Sequence, residues 1–250
     1  MNYPYDQIVL FGDSITQFSF STEYNGWGSY VADTYQRKFD VMNRGFSGYN
    51  TDWALPILQQ LLPTTEQQAA STNCIRLITI FFGANDATLP FAYQHVPITR
   101  YTNNLSEMIN MIQNPSSKYY NPDCNILLIT QPPLNEIQWK KRCDDNGEKM
   151  NRTAEVAKAY AEAAKEIASQ HNVPVIDLWS ELMLAAEKSD LSNFLLDGLH
   201  LNANGNQVLG KALLKGINAN FPDLDPETIV DKLPEWRNVP LEGYEQVLKY

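Results

Sequence analysis

Cysteine is scarce in this 250-residue chain: Cys74, Cys124 and Cys143 are an odd number with no Cys-x-x-Cys spacing, which gives no basis for a disulfide framework or a thiolate zinc site. Basic residues are also outnumbered. Nineteen Lys and Arg face 29 Asp and Glu, for a formal charge of −10. Such a balance cannot neutralise phosphates in quantity, which argues against nucleic-acid partners, and it repels anionic membranes. Long hydrophobic runs are missing: stretches such as Leu77 to Phe82 and Ile126 to Ile129 fall far below the roughly 18 residues that span a bilayer. Met1 to Gln7 holds no basic segment, and the apolar run after it is too short for a signal peptide, so the expected location is the cytoplasm. With only three histidines, few positions could supply a general base.

With 44% hydrophobic residues, the chain can bury one sizeable core. Residues 1–250 read as a single domain without a visible boundary. Residues 221–250 read as an arm packed on the body, because prolines at 222, 226, 234 and 240 forbid long helices while Leu233, Trp236 and Val239 stay apolar. Short β-branched runs at Ile8 to Phe11, Phe39 to Met42, Leu77 to Phe82, Ile126 to Thr130 and Val173 to Leu178 predict strands buried on both faces. Helical patterns lie between them. From Thr153 to Ser169, Val156, Tyr160, Ala163 and Ile167 share one face behind a Thr153 cap. After Asn204, Val208, Leu209, Ala212, Leu213 and Ile217 do the same. Alternating strands and helices predict an α/β sandwich around a parallel sheet.

In such a sheet ligands bind beyond the carboxyl ends of the strands. "VLFGDSIT", residues 9–16, places Ser14 at that position after the first strand. Asp13 or Ser14 could equally be a plain helix cap. A nucleophilic serine needs a base whose tautomer is held. His95 and His171 have no carboxylate nearby in sequence and read as solvated loop residues. His200 differs, since "LLDGLHLNANG" sets Asp197 three residues before it. The same pair could ligate a metal, but no third ligand is apparent. Two further glycine-bearing turns follow strands. "NRGFSGYN" supplies Gly45, whose backbone N–H could approach a ligand closely. "FFGANDAT" supplies Asn85, whose amide could donate to an oxyanion, and Asp86, which is expected to pin its turn.

Taken in order, Gly12-Asp13-Ser14, Gly45, Gly83-Ala84-Asn85-Asp86 and Asp197-Gly198-Leu199-His200 resemble the four blocks of the SGNH (GDSL-type) hydrolases over roughly residues 6–218. "RGFSGYNTDWALPIL", "FFGANDA", "DGLHLNANGNQV" and the tail "FPDLDPETIVDKLPEWRNV" are similar to the isoamyl acetate-hydrolysing esterase branch. The resemblance implies a flavodoxin-like three-layer fold with five parallel strands in order 2-1-3-4-5. It further implies a serine esterase that needs no cofactor, with Ser14, Asp197 and His200 catalytic and Ser14, Gly45 and Asn85 forming the oxyanion hole. Its substrates would be short-acyl, acetate-type esters of small to medium alcohols. Phe46, Trp53, Phe91 and Trp139 lie where they could wall an alcohol pocket or belong to the core. A carbohydrate acetylesterase, a broader lipase or thioesterase, and an inactive binding module are the alternatives; a homodimer is left open.

Overall fold

The computed structural model describes residues 5–187 and 189–249. Five strands, β1 Asp6–Gly12, β2 Phe39–Gly45, β3 Ile75–Phe81, β4 Asn125–Ile129 and β5 Val175–Ile176, pair in parallel in the order β2-β1-β3-β4-β5. Successive strand side chains point to opposite faces, so a strand covered on both sides must be apolar at every position. β1 and β4 meet that demand: Val9, Phe11, Ile126 and Leu128 enter one core, and Ile8, Leu10, Leu127 and Ile129 enter the other. β2 lies at the edge and is only half-buried.

The first core is closed by α3 Thr51–Leu61, α5 Ile98–Gln113 and α7 Ala154–Gln170, through Leu58, Leu105, Met108, Tyr160 and Ile167. The second is closed by α2 Trp27–Thr34, α6 Glu136–Asp145, α8 Leu178–Ala186 and α9 Ala203–Asn220. Two short helices, α1 Ser14–Gln17 and α4 Thr65–Ala69, complete the set. Helices on both faces of a parallel sheet make the expected three-layer sandwich. Thr153 caps α7 by accepting from the Val156 N–H at 3.3 Å.

The fifth strand is shorter than the run Val173 to Leu178. Pro174 has no N–H for a ladder, and Asp177 turns the chain into α8 by accepting from Ser180 N. At the other end, Phe221 and Leu224 are buried in the second core, and the Tyr35 hydroxyl donates to Leu224 O at 2.7 Å. Arg37 donates to Leu233 O and Pro234 O and pairs with Asp231. Beyond these contacts Trp236 is 73% exposed. No helix among the described residues is long and apolar enough to cross a membrane.

Register positions the loops. Gly12 lies opposite Gly45 on one side and Phe81 on the other, so β1, β2 and β3 finish level. Their outgoing loops emerge side by side where the strand order reverses, which is where open α/β sheets bind ligands.

Candidate active site

Asp13 follows β1 and caps α1, its Oδ1 accepting from the Ile15 N–H at 2.9 Å. The cap is therefore Asp13, and the Ser14 hydroxyl is spared for other contacts. Ser14 Oγ lies 2.9 Å from His200 Nε2, across 186 residues of chain. His200 Nδ1 lies 2.8 Å from Asp197 Oδ2, while Asp197 Oδ1 accepts the backbone N–H groups of Leu199 and His200 at 3.0 and 2.9 Å. Burial alone would raise the Asp197 carboxyl. Its hydrogen bond to the His200 ring, the imidazole charge and the two backbone donors outweigh that and hold it down to about 2. An ionised carboxylate on Nδ1 leaves Nε2 free to accept a proton from Ser14. The 197–200 turn is itself anchored where Asn135 N donates to Gly198 O at 2.9 Å, at the start of α6.

These groups open into a cavity of about 730 Å³ lined also by Gly48, Asn85, Trp53, Phe91, Trp139 and Arg152. Asn85 is only 4% exposed and its amide is tightly assigned. Its Oδ1 accepts from Arg152 Nη2 at 2.9 Å and Gln94 Nε2 at 3.2 Å, and its Nδ2 donates to Tyr49 O at 2.9 Å. An amide nitrogen carries two N–H groups, so one remains for a ligand in the cavity. Asp86 faces away: its Oδ1 accepts from Thr51 N at 3.0 Å and Thr51 Oγ1 at 2.5 Å, tying the Asn85 turn to the start of α3.

Gly45 requires a correction. A Cβ there would stand 2.0 Å from Gln17 N and 2.4 Å from Gln17 Cα. It is glycine because the α1 backbone packs directly on it. Its N–H donates to Asn43 Oδ1 at 2.9 Å, and it does not line the cavity. The second glycine of the same turn does. Gly48 has φ +81, and its carbonyl accepts from Gln94 Nε2 at 2.7 Å. One Gln94 side chain thus ties Gly48 to Asn85. Sequence reasoning passed over Gly48, Gln94 and Arg152; the Ser-Gly step inside "NRGFSGYN" was the available signal for the first.

Of the four aromatic candidates, Trp53, Phe91 and Trp139 line the cavity and Phe46 does not. Phe46 packs edge-on against Phe11 and beside Tyr49, next to the first core. Trp139 is buried, its Nε1–H donating to Asn151 Oδ1 and its ring held between the Arg142 and Arg152 guanidinium groups at 4.5 Å each. Neither remaining histidine is a free loop residue. His95 Nδ1 sits 2.5 Å from Thr88 O, and His171 Nε2 sits 2.8 Å from Ser106 Oγ. Neither pairs with a carboxylate among the described residues.

A family model described as the GDSL-like Lipase/Acylhydrolase family matches residues 10–208. A rat (Rattus norvegicus) protein named isoamyl acetate-hydrolyzing esterase 1 homolog is 40% identical over 237 residues, covering 93% of this chain and 88% of that protein. A GDSL esterase/lipase of Arabidopsis thaliana is 36% identical, covering 96% of this chain and 98% of that one. Among solved structures, a lipase/acylhydrolase from Enterococcus faecalis superposes with a TM-score of 0.62 at 26% identity, over 86% of this chain and 96% of that one. An acetylxylan esterase from Geobacillus stearothermophilus shares the fold at a TM-score of 0.61 and 21% identity, over 85% of this chain and 94% of that one.

Proposed function

The chain belongs to the GDSL-like lipase/acylhydrolase family and is a carboxylic ester hydrolase, and from that premise we propose that it cleaves short-acyl esters of small to medium alcohols through an acyl-enzyme on Ser14. The observation that carries the reading is the unbroken Ser14–His200–Asp197 hydrogen-bond chain at 2.9 and 2.8 Å, with Ser14 and His200 lining a cavity. Ser14 Oγ attacks the ester carbonyl while His200 Nε2 takes its proton; the C–O bond to the alcohol then breaks as His200 returns that proton to the departing oxygen. Water repeats the sequence on the acyl-enzyme and releases the acid. Asp197 keeps the imidazole in the Nδ1–H tautomer and stabilises its cation. The developing oxyanion is held by the N–H groups of Ser14 and Gly48 and the Asn85 amide, with Gly48 taking the place first given to Gly45.

Acetate-type substrates are supported by the names of the relatives, and the aromatic wall of Trp53 and Phe91 suits an apolar portion of the ester. A fluorophosphonate probe with peptide mapping, followed by acetyl, butyryl and octanoyl esters of one alcohol, tests both parts. Expected are an adduct on Ser14 and fastest turnover of the acetate. A folded sample with neither adduct nor turnover refutes the mechanism, and a preference for octanoyl esters refutes the acyl range. Faster cleavage of acetylated sugars than of alkyl acetates moves the assignment to a carbohydrate acetylesterase.

A further inference from the structure

Arg152 is 5% exposed, yet it forms no ion pair with a described carboxylate. Burial pushes its guanidinium down only to about 10, so it stays charged at neutral pH. A buried cation with no carboxylate in direct contact is costly, and it is tolerated only where hydrogen bonds and charges farther off compensate; Asp13 and Asp197 supply those charges. The hydrogen bonds are aimed mainly at one turn. Nε donates to Ala84 O at 3.2 Å, Nη2 to Asn85 Oδ1 at 2.9 Å, and Nη1 to Asn151 Oδ1 at 3.1 Å, while the plane rests on Trp139. Two of these three hydrogen bonds therefore grip the Ala84–Asn85 step.

This grip has a chemical consequence. If the Asn85 amide turned over, its NH₂ would face the Arg152 and Gln94 donors, and its oxygen would face the Tyr49 carbonyl. Every one of those contacts would become donor against donor or acceptor against acceptor. The fixed cation also draws electron density from the amide oxygen, which makes the remaining N–H a stronger donor inside a site of low dielectric. We propose that Arg152 is a positioning residue for ester hydrolysis, holding the Asn85 amide with its N–H toward the cavity and strengthening it as an oxyanion donor. The inference rests on the role given to Asn85 above.

A double-mutant cycle on an acetate ester tests it. Because Arg152 acts through a single oxyanion donor, whose own loss costs ~10²–10³ in kcat, Arg152→Gln is expected to lower kcat by ~10–10² with KM within about threefold of wild type. In an Asn85→Ala background the same change is expected to lower kcat by less than about threefold, since there is no amide left to position. Arg152→Lys keeps the charge but loses the planar fork, and falls between. An Arg152→Gln enzyme with undiminished kcat, or one losing the same factor with and without Asn85, overturns the inference. Should Arg152→Gln fail to fold, Arg152→Lys carries the same cycle. Failure of the underlying reading looks different: Asn85→Ala then keeps full kcat, or Ser14→Ala keeps turnover.

Discussion

Asp86 offers a quantitative test of how the turn carrying Asn85 is held. The carboxyl is fully buried, its Oδ1 satisfied by Thr51 and its Oδ2 without a hydrogen-bond partner. Burial raises it from 3.8 to about 7 against the opposing pull of the Thr51 hydrogen bonds. Asp13, with Oδ2 likewise unpartnered, is raised by burial to about 6. In the unfolded chain both release their protons near 3.8, so between that pH and the folded values the native state binds more protons. Stability then falls as pH rises. The contribution is fully present below about 3.8 and is lost progressively above it, up to about 6 for Asp13 and about 7 for Asp86. From pH 5 to pH 8 the Asp86 share amounts to two pH units, or about 3 kcal/mol at about 1.4 kcal/mol per unit. Asn at position 86 keeps the Oδ1 acceptor for Thr51 and carries no charge, so Asp86→Asn should lose about 3 kcal/mol less over that range than wild type. Urea unfolding followed by tryptophan fluorescence at pH 5, 6, 7 and 8 measures the difference, in which groups that do not interact with Asp86 cancel; Asp13, whose charge acts on Asp86, does interact with it. Equal losses in the two proteins would refute the buried, protonated Asp86.

Loss of Ser14 or His200 by substitution with Ala should lower kcat by on the order of 10⁴ or more with the fold intact by circular dichroism, as expected for members of one catalytic unit. Gln94→Ala removes the bridge between Gly48 O and Asn85 Oδ1; steady-state kinetics should show a fall of ~10-fold in kcat, less than for removal of the Asn85 donor itself. Gly45→Ala drives a methyl into the Gln17 backbone and should cost several kcal/mol or displace α1, which a thermal melt with a parallel activity assay detects. Gly48→Ala has room, its Cβ meeting only Gln94 Nε2 at 3.4 Å, and should cost about 1–2 kcal/mol for the left-handed backbone.

The family and the α/β sandwich were legible because their signals are local. A central strand declares itself by apolar residues at consecutive positions, as in Ile8 to Phe11 and Ile126 to Ile129, since both of its faces must be covered. Asp197 and His200 meet within three residues in a single turn, so their pairing needs no knowledge of the rest of the chain. Contacts made across the fold carried no such mark. Which glycine of "NRGFSGYN" faces the cavity depends on α1 lying against Gly45, a matter of how one loop stacks on its neighbour. Phe46 turned to Phe11 rather than outward for the same reason. The grip of Arg152 on Asn85 spans 67 residues. An arginine after a long polar loop and a glutamine at position 94 look like solvent-facing residues in sequence. Burial alone distinguishes them, and only the packed α6, α7 and loop segments determine it.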